Sequence, residues 1–314
     1  MPKIAISIGD VNGIGLEIAI RAHKEVSKYC QPLYCVHKEV LYQASQLLNL
    51  PLALDMQCVG DFEYQGDNLI EPGCVSAKSG DYSYKSFMQA LKLTQNAETA
   101  ALVTLPIHKK AWQEAGVKFV GHTDALSSYF EKEAIMMLGC KELFVALFTD
   151  HIALREVAQR IDRVRLVGFL LDFARALDLK QPCCVLGLNP HCGDGGIMGD
   201  EDEVIRQAIK EANHILNKEL FLGPYPPDSA FSPFNRSKFA YYVSMYHDVG
   251  LAPLKALYFE QSINVSLNLP ILRTSVDHGV AFDKAYKGGN LSIQSYLNAL
   301  HYAITHINSK HINC

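Results

Sequence analysis

Lys3-Ile4-Ala5-Ile6-Ser7-Ile8-Gly9-Asp10-Val11-Asn12-Gly13-Ile14-Gly15 is the stretch that decides the fold. Its first seven residues form a short apolar run that reads as a buried strand. A glycine-containing loop, Asp10–Gly15, follows, and then an amphipathic helical stretch, Leu16–Tyr29. The alternation recurs outward from there. Pro32–Val36 reads as a strand and Glu39–Leu50 as a helix, and the buried strand Ala101–Leu105 precedes Pro106 and a helix rich in lysine and alanine. Strands alternating with helices imply a mainly parallel sheet covered on both faces, and therefore an α/β protein.

Further helices are expected at Val164–Leu179, at Glu201–Leu216 and at Ser292–Ile307, the last with an apolar stripe through Tyr296, Leu300 and Ile304. The acidic first turn of Glu201–Leu216 suits the positive end of a helix dipole. Glu131-Lys132-Glu133 interrupts the pattern and places a lobe boundary. The expectation is a first α/β lobe of residues 1–135 plus 285–314 and a second of residues 136–284. There is no low-complexity linker and no internal repeat of fixed period.

At 314 residues, 49% hydrophobic and 20% charged, the composition is that of an ordinary enzyme with a sizeable core. A net charge of -4 argues against a nucleic-acid binder, whose phosphate contacts demand a basic surface. No apolar run approaches the roughly 20 residues of a membrane span. The first residues enter a strand at once, with no signal-peptide pattern. Nine cysteines, an odd number without a CxxC pair, read as reduced thiols, so a cytoplasmic protein is expected.

Three histidines sit in short polar or glycine-containing loops, each after an apolar run that reads as a buried strand. They are His151 after Leu143–Phe148, His191 after Cys183–Leu188 and His247 after Tyr241–Met245. A histidine at the carboxyl end of a parallel strand faces the crevice where α/β sheets bind ligands. Three such residues suit one divalent metal, because neutral imidazole is the commonest ligand of catalytic transition metals. Taken singly, each also reads as an inert loop histidine. Cys192, the neighbour of His191, is expected to lie in the loop without ligating, since adjacent residues of extended chain point apart.

Lys255, Asn264 and Arg273 form a second donor set, with the lysine and arginine suited to a dianionic phosphate. Gly121-His122-Thr123-Asp124 precedes a helical stretch expected from Ala125 and reads both as an anion site and as a Thr or Asp cap. The Asp10–Gly15 loop lacks the third glycine of the dinucleotide fingerprint, so a tight turn with Gly13 or Gly15 at positive φ is the stronger reading. Thr274-Ser275-Val276-Asp277-His278-Gly279 closes another apolar strand with polar groups.

Together these segments resemble the 4-hydroxythreonine-4-phosphate dehydrogenase family over nearly the whole chain. The resemblance runs through Ser7-Ile8-Gly9-Asp10 with Gly13-Ile14-Gly15, Val103-Thr104-Leu105-Pro106-Ile107, Gly121-His122-Thr123, and Asp150-His151-Ile152-Ala153-Leu154-Arg155. It continues through Asn189-Pro190-His191, Gly223-Pro224-Tyr225-Pro226-Pro227-Asp228, Met245-Tyr246-His247-Asp248-Val249-Gly250-Leu251 and Leu272-Arg273-Thr274-Ser275-Val276-Asp277-His278-Gly279. Departures stand at Val11-Asn12-Gly13, His108 and Cys192-Gly193-Asp194, where the family usually has other residues.

The resemblance implies an isocitrate/isopropylmalate-dehydrogenase-like two-lobed α/β/α fold and a homodimer sharing its active site across the interface. It implies NAD or NADP and one divalent metal (zinc, magnesium or cobalt) on His151, His191 and His247. Substrate-binding roles fall on His122, Thr123, Lys255, Asn264 and Arg273. Lys255, Asp228 and Asp277 are the candidates for moving protons. The implied reaction is oxidation of 4-phosphohydroxy-L-threonine to a 3-oxo acid that loses carbon dioxide, in pyridoxal 5'-phosphate biosynthesis. A paralogous dehydrogenase of a phosphorylated threonate or erythronate, a metal-dependent phosphatase and a metabolite-binding protein are the rival readings.

Overall fold

β1 (Lys3–Ser7) is buried from its second residue on, because an inner parallel strand meets protein on both faces. It leads through the Asp10–Gly15 turn into α1 (Gly15–Val26). The alternation continues with β2 (Gln31–Cys35), α2 (Lys38–Leu48), β3 (Gln57–Cys58), α3 (Ala77–Gln95), β4 (Ala101–Thr104), α4 (Lys109–Glu114) and α5 (His122–Phe130). Next come β5 (Ile135–Cys140), β6 (Leu143–Leu147), α6 (Leu154–Arg160), α7 (Arg163–Leu177), β7 (Cys183–Leu186) and α8 (Glu201–Leu216). They are followed by β8 (Phe221–Tyr225), α9 (Pro227–Ala230), α10 (Pro233–Arg236), β9 (Tyr241–Ser244), α11 (His247–Tyr258) and β10 (Ile263–Leu267). β11 (Arg273–Val276) and α12 (Gln294–Ile312) come last. This computed structural model describes residues 1–64 and 69–312.

The chain divides into two units: Met1–Glu131 with the segment from Pro270 onward, and Lys132–Leu269. The first boundary falls at the charged Glu131-Lys132-Glu133 break. The return to the first unit comes at Pro270, earlier than the expected 285, because β11 pairs in parallel with β4 through Arg273↔Leu102 and Ser275↔Thr104. Arg273 and Asp277 therefore belong to the first unit. Its strands run β3-β2-β1-β4-β11, with every pairing parallel. The Asp10–Gly15 turn departs from expectation in one respect. The left-handed glycine is Gly9, with φ 73°, where a Cβ would stand 2.2 Å from the Pro106 carbonyl oxygen. Gly13 and Gly15 are not at positive φ.

In the second unit the strand order is β10-β5-β6-β9-β7-β8. β5 runs antiparallel to β10 and β6, while β6, β9, β7 and β8 are mutually parallel. Leu138, Leu143, Val145, Cys184, Leu186, Tyr242, Leu251 and Leu254 pack into one core beneath this sheet and α11. Register aligns the strand ends: Leu147 lies opposite Ser244, and Val243 opposite Val185. The chain thus leaves β6, β9 and β7, three adjacent parallel strands, at one edge of the sheet. Among the described residues no helix is long and apolar enough to cross a membrane.

Candidate active site

The edge just defined carries the three histidines singled out by the sequence. His151 follows β6, His247 opens α11 after β9, and His191 follows β7. The His151 and His247 rings come together, with centroids 5.4 Å apart. Among the described residues no group of three or more His, Cys, Asp or Glu side chains is arranged to hold a metal ion. The pair is formed, and His191 does not complete a set of three.

Local chemistry orients His247. Its Nδ1 lies 2.6 Å from Asp248 Oδ1, and the Tyr246 hydroxyl donates to Asp248 Oδ2 at 3.2 Å. The His247 and Tyr246 contacts together lower the Asp248 pKa below its usual value. A carboxylate on one ring nitrogen fixes the tautomer and leaves Nε2 as an acceptor, the arrangement found behind metal-binding imidazoles. At the neighbouring strand end Thr149 Oγ1 donates to the Met245 carbonyl at 2.6 Å, tying the loop after β6 to the one after β9.

His151 and His191 share a backbone feature, with φ of 43° and 52°. The left-handed region costs an L-residue with a Cβ about 1–2 kcal/mol. Asn49, Asp178 and Asn217, also non-glycine residues there, terminate helices, where that conformation closes the last turn. The two histidines end no helix, and strain of this kind gathers at functional sites. Cys192 does not join them: its thiol donates to the Pro224 carbonyl at 3.5 Å, and burial first, then the Asp202 charge, push its pKa up to about 11.

The first unit holds a different constellation. Arg273 is 2% exposed, with Nε and Nη2 donating to Thr104 Oγ1 at 3.1 and 2.7 Å. Desolvation lowers its pKa to about 9. His122 is buried between Phe87 and Trp112, and its Nε2 has no hydrogen-bond partner among the described residues. Burial first, then the Arg273 charge, hold its pKa well below the ordinary value. A neutral imidazole beside a desolvated guanidinium is a strongly anion-seeking arrangement. α5 begins at His122, not at Ala125, its cap residue Gly121 makes no side-chain cap bond, and Thr123 falls in its first turn. Asp124 instead accepts from the Val120 N–H at 3.0 Å.

Lys255 stands on α11, eight residues after His247, with Nζ 5.9 Å from the centre of the Phe259 ring. Asn264 is on β10, opposite Leu138. Asp228 lies in the first turn of α9 and acts electrostatically on Cys192. Asp277 follows β11, and its backbone N–H donates to Ser295 Oγ at 3.1 Å.

The chain as a whole is similar to known proteins. The family described as pyridoxal phosphate biosynthetic protein PdxA has a model that matches residues 28–303. The chain belongs to the PdxA family. The 4-hydroxythreonine-4-phosphate dehydrogenase of Sulfurimonas denitrificans is 53% identical to it over 304 residues, 96% of this chain and 97% of the relative. That of Campylobacter fetus is 52% identical over 305 residues, 97% and 98% of the two chains. Among solved structures, a 4-hydroxythreonine-4-phosphate dehydrogenase from Klebsiella pneumoniae matches with a TM-score of 0.84 at 29% identity, over 98% of each chain. A terephthalate 1,2-cis-dihydrodiol dehydrogenase from Burkholderia xenovorans shares the fold, with a TM-score of 0.67 at 24% identity over 97% of this chain and 98% of that one.

PdxA membership makes the chain an oxidoreductase of pyridoxal phosphate biosynthesis, and the α/β fold is the one expected. Asp248, beside His247, and Thr104, beside Arg273, were not singled out in the sequence reading. The His247-Asp248 dipeptide at a helix start was a usable signal for the first. Thr104 ends a strand that meets β11 only in three dimensions.

Proposed function

We propose that the chain oxidises 4-phosphohydroxy-L-threonine with NAD or NADP, yielding a 3-oxo acid that decarboxylates to 3-amino-2-oxopropyl phosphate. The observation that carries this reading is the sheet edge from which three adjacent parallel strands release His151, His247 and His191, with two of the rings 5.4 Å apart. What supports a divalent ion at this edge is the imidazole of His247, whose Nδ1 is engaged by Asp248 and whose Nε2 is left to ligate. A zinc, magnesium or cobalt ion on these histidines would supply Lewis-acid polarisation of the substrate's secondary alcohol. The nicotinamide would accept the hydride.

The chain's own groups do the rest. Arg273, fixed by Thr104, and His122 with Thr123 bind the anionic ends of the substrate, the guanidinium offering a planar fork. Lys255 Nζ and Asn264 add donors, so that binding energy remote from the reacting carbon orients it. Lys255, Asp228 and Asp277 are the groups assigned to proton transfer. A homodimer whose active site takes residues from both subunits, working in the cytoplasm, completes the proposal.

Purified protein given 4-phosphohydroxy-L-threonine, each nicotinamide and a panel of divalent ions tests it. The expected result is growth of reduced-nicotinamide absorbance that depends on both substrate and metal. Release of inorganic phosphate without nicotinamide reduction would replace the dehydrogenase by a phosphatase. Faster turnover of a phosphorylated threonate or erythronate would move the substrate within the same chemistry.

A further inference from the structure

The acidic first turn of α8 does more than face the helix dipole. Glu203 turns outward to Arg206 and Gln207, but Asp202 is 1% exposed and reaches back to the chain leaving β7. Its Oδ1 accepts from the Leu188 backbone N–H at 2.9 Å, and its Oδ2 accepts from the Asn189 backbone N–H at 3.0 Å and from Asn189 Nδ2 at 3.0 Å. Asn189 Nδ2 also donates to Glu201 Oε2 at 2.7 Å. The backbone is pressed against this carboxylate: a Cβ at Gly187 would stand 2.5 Å from Asp202 Oδ1 and 2.7 Å from Cys192 Sγ.

Directly beyond this anchor the backbone keeps positive φ for six consecutive residues. The φ angles are 52° at His191, 56° at Cys192, 77° at Gly193, 43° at Asp194, 68° at Gly195 and 98° at Gly196. Left-handed conformation is ordinarily visited by single residues, and a run containing three side chains persists only where its surroundings over-determine it. The run hangs from Asn189, whose carbonyl accepts the Cys192 N–H at 3.0 Å. Asn189 is thus held from one side by Asp202 and from the other by the first backbone bond of the turn.

We propose that Asp202 is a positioning residue for His191, clamping Asn189 so that the left-handed turn presents the imidazole at the histidine edge. The role requires a carboxylate. Three N–H donors converge on two oxygens, and only a group with acceptors at both atoms satisfies them all. The inference deepens the metal reading and rests on it through His191.

The test compares the parent with Asp202→Asn, Asn189→Ala and His191→Ala, all metal-free at the start. It reads Co2+ affinity by calorimetry and visible absorption, amide exchange at residues 188 and 189, and the His191 ring resonances. In Asp202→Asn, one oxygen becomes a donor facing donors. The two amides should exchange faster, the His191 ring signals should shift and broaden, and Co2+ affinity should fall about 10–100-fold. Asn189→Ala keeps the two backbone bonds to Asp202 and should lose less.

Parent-like Co2+ affinity in Asp202→Asn, with His191→Ala impaired, would overturn the positioning role and leave the metal reading intact. Parent-like affinity in His191→Ala would instead remove the metal reading. The ring resonances then decide, and an unchanged His191 ring in Asp202→Asn would overturn the role. Should Asp202→Asn fail to fold, Asn189→Ala stands in for it, and unchanged affinity and ring signals there would overturn the proposal.

Discussion

Arg273 and His122 sit on regular structure, shielded from water, whereas His151, His191 and His247 emerge on loops and a helix start beyond strand ends, two of them with left-handed backbone. The side chain of His151 is 52% exposed and that of His247 35%, against 8% for His122. The contrast separates two ways of making a side chain reactive. Burial sharpens the first pair, because a guanidinium without water is an intense local field and an imidazole without water stays neutral. Backbone geometry aims the second set, whose nitrogens must remain accessible to an incoming ion.

The largest expected effect lies in the buried region. Arg273→Ala removes the one buried guanidinium from the cradle, and kcat/KM should fall roughly 10^2–10^3-fold, as when one partner of a desolvated charge pair is truncated. Arg273→Lys keeps the charge but loses the planar fork, so its loss should appear mainly in KM. Steady-state kinetics checks both. A parent-like Arg273→Ala would break the contrast at its stronger end. In the exposed region Asp248→Asn should weaken metal binding by about tenfold and leave the KM effect of Arg273→Lys unchanged, which calorimetry and kinetics together would sharpen.

The smallest effect is a difference in acid sensitivity. His122 titrates well below its ordinary value in the folded protein, so between that folded value and about 6.5 the unfolded chain binds more protons. Stability therefore falls as pH drops through this window, by at most about 1.4 kcal/mol per pH unit. His122→Asn should flatten the slope in denaturant unfolding between pH 7 and 5. Equal slopes in the parent and the variant would mean that burial does not set the His122 titration.

The sequence was most informative where local pattern suffices. Glu201–Leu216 is the helix that its periodicity and acidic start describe, and the histidines stand at the strand ends where apolar runs stop. Long-range pairing left no local mark. That Arg273 returns to the first unit depends on β11 lying beside β4. The antiparallel pairing of β5 with β10 is likewise distant in sequence, whereas that of β5 with β6 is a local hairpin closed by Lys141 and Glu142. The left-handed turn at His191 was invisible because His191, Cys192 and Asp194 do not ordinarily favour that backbone, and the carboxylate holding it lies on the next helix. The positions of Gly13 and Gly15 were misread for a related reason: close approach, not positive φ, excludes side chains there.

Metal stoichiometry tests the central claim most directly. The parent and the His151→Ala/His191→Ala/His247→Ala variant are loaded with Co2+, freed of excess by dialysis and counted by elemental analysis, with circular dichroism confirming that both are folded. The account predicts about one ion per chain in the parent, with the d–d spectrum of imidazole ligation, and none in the triple variant. Equal metal content and the same spectrum in both proteins would contradict it.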